Sequence, residues 1–335
     1  MNISVIGAGS WGTSFANYLA SVKGLRVKIW ALEKGVTDDI NNNRLNSTYL
    51  PEIKLSENLQ ATANLEDAVK NAEILILAIP SKFCPNMYKK IAPYLKSQYI
   101  VSLTKGLDEI NINFLSDLMK EIFPKPVSEN ISIISGPSFA KELAQNFPTA
   151  VVVASQKEKI AKEIQRKFSS EILRLYITDD VHGVELGGAL KNVIAIASGI
   201  AAGMGFGYNS IASLITRGNI EIIRLGIKLG AKEQTFLGLS GIGDLMLTCF
   251  GPLSRNRTFG FRVGRGEKIE EILKDSKFVV EGLTTVKTAL KLASKFNVEM
   301  PITESIYKVI YENVPVKEAL KRLMSRTLKK EWNIK

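Results

Sequence analysis

Histidine is almost absent from this 335-residue chain, with His182 the single one, and cysteine occurs only as Cys84 and Cys249. Two thiols so far apart in sequence exclude a disulfide framework and a cysteine-built zinc site, so the expectation is a reducing compartment and no bound metal. A lone histidine is a poor first candidate for acid–base work, and His182 reads instead as a residue that caps or borders a helix. Lysine and arginine outnumber the acids 44 to 33, a net charge of +11. No long basic run is interleaved with aromatics, so a nucleic-acid role is not expected. Anionic small ligands, or a solvated basic surface, account for the charge better.

Tandem repeats and low-complexity linkers are lacking as well. A hydrophobic content of 45% and a charged content of 23% are those of an ordinary soluble globular protein, long enough for two domains. No basic segment precedes the first apolar residues, which already read as a strand, and the expected location is the cytoplasm. One uncharged stretch, residues 192–216, imitates a membrane span, but its mainly apolar part, Val193–Phe206, is only 14 residues long. That length suits a buried core helix, broken at Gly203-Met204-Gly205-Phe206-Gly207, and no membrane span is expected.

What is present begins at the first turn. Asn2–Ile6 reads as a buried strand and runs into Gly7-Ala8-Gly9-Ser10-Trp11-Gly12, followed by helical composition from Thr13 to Val22. In that setting Gly7, Gly9 and Gly12 permit a tight turn and a close approach of backbone to pyrophosphate, and the helix N-terminus attracts the anion. Further strands are expected at Arg26–Ala31, Ile74–Ile79, Tyr99–Thr104, Ile131–Ser135, Ala150–Ala154 and Ile172–Ile177, several of them apolar on both faces. The fold class is therefore α/β: an N-terminal Rossmann-type doubly wound parallel sheet over residues 1–178, followed by a mostly α-helical C-terminal domain over 179–335. The second domain is expected to contain helices at Asp180–Gly203, Asn209–Leu229, Gly282–Phe296, Thr303–Asn313 and Val316–Leu323.

Glu33 lies about 20 residues past the glycine turn, where a carboxylate accepts hydrogen bonds from the adenosine ribose and favours NAD. Lys34 beside it suits a 2′-phosphate instead, and the pair alone leaves the coenzyme open. Reducing a carbonyl needs a proton donor, and lysine serves if burial or nearby cations lower its pKa. Lys105 follows the Tyr99–Thr104 run at the carboxyl end of a strand, and Lys191 sits among small residues in Glu185–Asn192. Asp244 and Thr248, four apart, share a helix face; an N-cap aspartate is the competing reading. Ser254-Arg255-Asn256-Arg257 at a helix start suits a phosphate, or helix capping with a surface arginine.

Taken together, Gly7–Gly12, Thr104-Lys105-Gly106, Ser135–Glu142, Glu185–Asn192, Leu214–Gly218, Gly241–Thr248, Ser254–Arg257 and Val279–Gly282 resemble the bacterial NAD(P)-dependent glycerol-3-phosphate dehydrogenases across essentially the whole chain. The resemblance implies reversible reduction of dihydroxyacetone phosphate to sn-glycerol 3-phosphate, a precursor of phospholipids, with NAD(H) or NADP(H) and no metal. It implies a catalytic set of Lys191 as proton donor and acceptor with Lys105, Asp244, Asn192 and Thr248. Lys105, Gly136, Ser138, Lys191, Asp244, Ser254, Arg255 and Asn256 would bind substrate. Ser10, Trp11, Lys105, Ala140, Arg255, Val279 and Glu281 would touch the coenzyme, in a homodimer. Many relatives carry a basic residue after the second strand, where this chain has Leu32-Glu33-Lys34, so the usual NADPH preference is not expected to hold and NADH is expected to be used at least comparably. Another dehydrogenase of the same two-domain design would share the glycine turn but would not explain the Ser254–Arg257 block together with Asp244, and a coenzyme sensor without catalysis would not need Lys105 and Lys191.

Overall fold

The computed structural model describes residues 1–275 and 279–331. Strands β1 (Asn2–Ile6), β2 (Arg26–Trp30), β3 (Leu59–Thr62), β4 (Ile74–Leu77), β5 (Tyr99–Ser102), β6 (Ile131–Ser135), β7 (Thr149–Ala154) and β8 (Leu173–Thr178) form one sheet in the order β3-β2-β1-β4-β5-β6-β7-β8. Ile3 pairs with Val27 on one side and Ile74 on the other. The strand order therefore reverses at β1, a switch point of the kind at which open α/β sheets bind ligands. All four β4 residues are buried, as expected of a strand covered on both faces.

Two features depart from the expected sheet. Strand β3 is additional to the strands expected from sequence: Leu-Gln-Ala-Thr is short, has a single β-branched residue, and is ordered by its pairing with β2. Strand β7 runs antiparallel to β6, with Ile133 opposite Ala154, and β8 then runs parallel to β7. The sheet is mostly parallel.

Chain contacts divide the protein into Met1–Thr104 with Leu115–Val181, which carries the sheet, and Lys105–Phe114 with the chain from His182 onward. The division falls three residues beyond the position read from sequence, and the 105–114 segment joins the helical unit. It does so because Leu107 and Phe114 bury in that unit's core. The core of the first unit gathers Ile3, Val5, Phe15, Leu19, Ile76 and Phe168.

The helical unit is built on helices Val181–Gly203, Tyr208–Lys228, Glu281–Lys295, Pro301–Tyr311 and Val316–Met324, all near the expected bounds. The first ends at the glycine-rich break. That helix is long and apolar enough to cross a membrane, but 83% of its most apolar window is buried, which accounts for its composition. Shorter helices at Asp244–Phe250 and Arg255–Gly264 complete the surroundings of Lys191.

Candidate active site

In the first unit the glycine turn joins β1 to helix α1 (Ser10–Ser21). Gly7 takes φ +112°, and a Cβ there would stand 2.4 Å from the Ala78 carbonyl oxygen. A Cβ on Gly12 would stand 2.0 Å from the Gly7 carbonyl oxygen, so helix and strand close only over glycine. Gly9 differs, since a Cβ on it would meet nothing within 4 Å. It caps α1 without a side chain, and the first turn holds no acid. The helix N-terminus therefore offers backbone N–H groups and positive potential to an anion, which fits the pyrophosphate of a dinucleotide.

The same unit carries Ser10, Trp11, Ala140, Glu33 and Lys34, also expected to touch coenzyme, and Gly136 and Ser138, expected to touch substrate. The Ser10 hydroxyl donates to the Tyr49 carbonyl at 2.6 Å, and the Trp11 ring packs on Phe15. Ala140 is held to α1 by Ser14, whose hydroxyl donates to its carbonyl at 2.7 Å. Gly136 follows β6 with φ +148° and would place a Cβ 2.9 Å from Val151 Cα, while the Ser138 hydroxyl donates to the Gly136 carbonyl at 3.0 Å. Glu33 stands past β2 and accepts from the Tyr49 hydroxyl at 2.9 Å. Lys34 is exposed and makes no ion pair with another described residue.

In the second unit Lys105, Lys191, Asp244 and Thr248 form one cluster. Lys105 Nζ lies 2.7 Å from Asp244 Oδ2, and Lys191 Nζ bonds the other oxygen, Oδ1. Lys191 also donates to Thr248 Oγ1 at 2.8 Å, and Thr248 donates onward to the Asp244 carbonyl at 2.6 Å. Asp244 is the first residue of its helix, yet its carboxylate faces two lysines, so the N-cap reading fails. Lys191 is 6% exposed and Asp244 1%. Burial pushes the Lys191 ammonium down to about 7; the attraction of Asp244 opposes this and the repulsion of Lys105 adds to it.

Glycine spacing brings the next helix to this cluster. A Cβ on Gly199 or Gly203 would stand 2.1 Å or 2.2 Å from the Arg257 or Phe261 carbonyl oxygen, and one on Gly260 or Gly264 2.1 Å or 2.3 Å from those of Ile196 or Ile200. Helices Val181–Gly203 and Arg255–Gly264 therefore cross in backbone contact. Next to Lys191, Asn192 Oδ1 accepts from Asn256 Nδ2 at 2.9 Å, and Asn256 Oδ1 accepts from the Gly282 N–H at 2.9 Å. This chain fixes the start of helix Glu281–Lys295, with Val279 just before it and the Glu281 carboxylate acting on the Arg255 guanidinium.

Ser254 does cap its helix, accepting from the Arg257 N–H at 3.2 Å, and Arg255 is exposed, so the capping reading accounts for part of this block. His182 borders its helix and stacks on Phe114 with centroids 4.1 Å apart. Cys249 is buried, and burial pushes its thiol up to about 12, which disfavours the thiolate. Sequence reasoning missed Asn46 and Tyr49, neither of which belongs to a local pattern.

The family signature described as NAD-dependent glycerol-3-phosphate dehydrogenase N-terminus matches residues 2–161, and that of the C-terminus matches 180–321. The chain is 46% identical over 334 residues to glycerol-3-phosphate dehydrogenase [NAD(P)+] of Carboxydothermus hydrogenoformans, covering 99% of each chain. It is 45% identical to the enzyme of the same name from Citrifermentans bemidjiense over 98% of each. Its fold matches the crystal structure of glycerol-3-phosphate dehydrogenase from Coxiella burnetii with a TM-score of 0.92 at 34% identity, over 97% of this chain and 99% of that one. With both signatures in order and near-complete overlap with such relatives, the chain belongs to the NAD-dependent glycerol-3-phosphate dehydrogenase family.

Proposed function

We propose that the chain interconverts dihydroxyacetone phosphate and sn-glycerol 3-phosphate, with Lys191 moving the proton at the C2 oxygen. The carrying observation is the buried Lys105–Asp244–Lys191 cluster, which holds an ammonium whose proton is labile near neutral pH. When bound, the nicotinamide coenzyme supplies or accepts the hydride at C2. Gly7, Gly9, Ser10, Trp11 and Gly12 would hold its pyrophosphate, with Glu33 and Lys34 toward the adenosine ribose and Ala140, Arg255, Val279 and Glu281 as further contacts.

In reduction, the Lys191 ammonium gives its proton to the C2 oxygen as negative charge grows there. In oxidation, the neutral amine takes the proton from the C2 hydroxyl. Asp244 and Thr248 fix the position of that nitrogen, as an acid–base group requires. Lys105 adds positive potential at the developing oxyanion and opposes reprotonation of Lys191. The substrate phosphate falls to Ser254, Arg255 and Asn256, with Gly136 and Ser138 as further substrate contacts. Asn192 is a positioning residue, acting through Asn256.

The product carries the backbone on which phospholipids are built, so the reading places the enzyme ahead of phospholipid synthesis, in the cytoplasm. It also includes a homodimer, for which the exposed Leu237, Met246, Phe250 and Leu253 of the helical unit supply apolar surface. Light scattering across a concentration series tests that part.

The central test is loss of reduced-nicotinamide absorbance with dihydroxyacetone phosphate, with NADH and NADPH in parallel and unphosphorylated dihydroxyacetone as control. Lys191→Ala should lower turnover roughly 10²- to 10⁴-fold while coenzyme still binds. Folded, coenzyme-binding protein that oxidises neither coenzyme in a phosphate-dependent way would sink the reading.

A further inference from the structure

The segment after β2 is attached to the glycine turn by more bonds than its loop character requires. Asn46 is completely buried, and its Nδ2 donates to the Ala8 carbonyl at 2.9 Å and to Thr13 Oγ1 at 2.8 Å. Its Oδ1 accepts from the Tyr49 N–H at 3.1 Å, and the Leu50 N–H donates to its carbonyl at 2.8 Å. Ser10, in the first turn of α1, donates to the Tyr49 carbonyl at 2.6 Å. The Tyr49 backbone is thus tied from both sides to the residues expected to hold pyrophosphate, and its phenol reaches out to the Glu33 carboxylate at 2.9 Å.

We propose that Tyr49 is a specificity-determining residue: by holding Glu33 at the end of β2 it favours the adenosine ribose diol of NADH over the 2′-phosphate of NADPH. The inference rests on the coenzyme reading above and commits to one side of the choice that Glu33 and Lys34 leave open.

The physical case concerns a fixed charge against a mobile one. Glu33 is exposed, and an exposed glutamate samples several rotamers whose ordering opposes any hydrogen bond it makes to a ligand. The Tyr49 hydroxyl occupies Oε1 and leaves Oε2 as an acceptor for a ribose hydroxyl. A 2′-phosphate brought to the same place would meet a negative charge that cannot swing away. Lys34 would favour that phosphate, but it is exposed and no described residue holds it, so its charge is mobile and screened. The bond to Glu33 also raises the Tyr49 pKa, which keeps the phenol a donor throughout the neutral range.

The test is equilibrium binding without substrate, read by reduced-nicotinamide fluorescence for NADH and NADPH. The proteins are the wild type, Tyr49→Phe, Glu33→Gln and the double variant. Wild type should bind NADH more tightly than NADPH. Tyr49→Phe should raise the Kd for NADH about three- to tenfold, the net worth of one ordinary solvent-accessible hydrogen bond, and change that for NADPH less than twofold. Glu33→Gln should tighten NADPH, and adding Tyr49→Phe to it should have no further effect on either coenzyme. Equal weakening of both coenzymes by Tyr49→Phe would make Tyr49 a prop for the turn and overturn the proposal, as would tighter wild-type binding of NADPH. Absence of turnover with dihydroxyacetone phosphate, with these affinities intact, would instead count against the substrate.

Discussion

Lys105 Nζ stands 2.7 Å from Asp244 Oδ2, on a carboxylate whose other oxygen bonds Lys191. One buried negative charge thus serves two cations. Asp244→Asn keeps the shape, removes the charge and turns one acceptor into a donor facing a lysine. Breaking a buried ion pair in this way costs about 3–5 kcal/mol, so urea denaturation should register a large loss. Turnover of the folded fraction should fall at least about 100-fold, since the acid loses its fixed position. Near-normal turnover with unchanged stability would remove Asp244 from this role.

Proton transfer through Lys191 gives opposite pH limbs in the two directions. Reduction needs the ammonium, whose pKa burial pushes down to about 7, so kcat for dihydroxyacetone phosphate should decline above that pH. Oxidation needs the neutral amine and should decline below it. The apparent value belongs to the Lys105–Asp244–Lys191 set rather than to one residue. Lys105→Met removes a cation that lowers the Lys191 pKa, and should move the alkaline limb of reduction upward. pH–rate profiles in both directions decide it, and limbs of the same sign would contradict the assignment.

The glycine crossing of helices Val181–Gly203 and Arg255–Gly264 should be intolerant of even a methyl group. A Cβ on Gly260 would lie 2.1 Å from the Ile196 carbonyl oxygen, so Gly260→Ala must push the helices apart. Overpacking of this kind costs about 1–3 kcal/mol. Because Asn256 and Arg255 ride on the displaced helix, the KM for the phosphorylated substrate should rise, with a smaller change in kcat. A variant of unchanged thermal stability and unchanged KM would show that the crossing does not position the site.

Much of this architecture is local and therefore legible in sequence. The glycine turn is contiguous, the strands are apolar runs, and Lys191 sits in a helix with small residues on it. Direction is not local: nothing in Thr149–Ala154 distinguishes a parallel from an antiparallel strand, and β7 is set by its pairing with β6. The Lys105–Phe114 segment reads as a loop after β5, and only the burial of Leu107 and Phe114 assigns it to the helical unit. Asn46 and Tyr49 escape for the same reason. Their partners Ala8, Ser10, Thr13 and Glu33 lie 16 to 39 residues away, beyond any periodic signal. Asp244 is legible through its spacing from Thr248, but the lysines that define its chemistry are 53 and 139 residues distant.

A buried carboxylate away from the proposed site should make stability depend on pH. Glu221, on helix Tyr208–Lys228, is 2% exposed and accepts from the Ile302 and Thr303 N–H groups at 2.6 Å and 3.1 Å and from the Thr303 hydroxyl at 3.0 Å. It thereby supplies acceptors for the first turn of helix Pro301–Tyr311. Burial pushes its pKa up from the ordinary 4.5 to about 7, opposed by these three donors and by Arg224. Between those two values the folded protein keeps a proton that the unfolded chain has lost, so stability should fall as pH rises from 4.5 to about 7 and then level off. Glu221→Gln cannot titrate and should lose that slope. Glu221→Ala strands the donors and should cost about 2–4 kcal/mol at any pH, with the affinity for coenzyme unchanged. Urea midpoints at pH 5 and pH 8 separate these effects. An equal difference between the two pH values in wild type and Glu221→Gln would mean that the carboxylate is ionised throughout, held so by its three donors, and that the slope arises elsewhere.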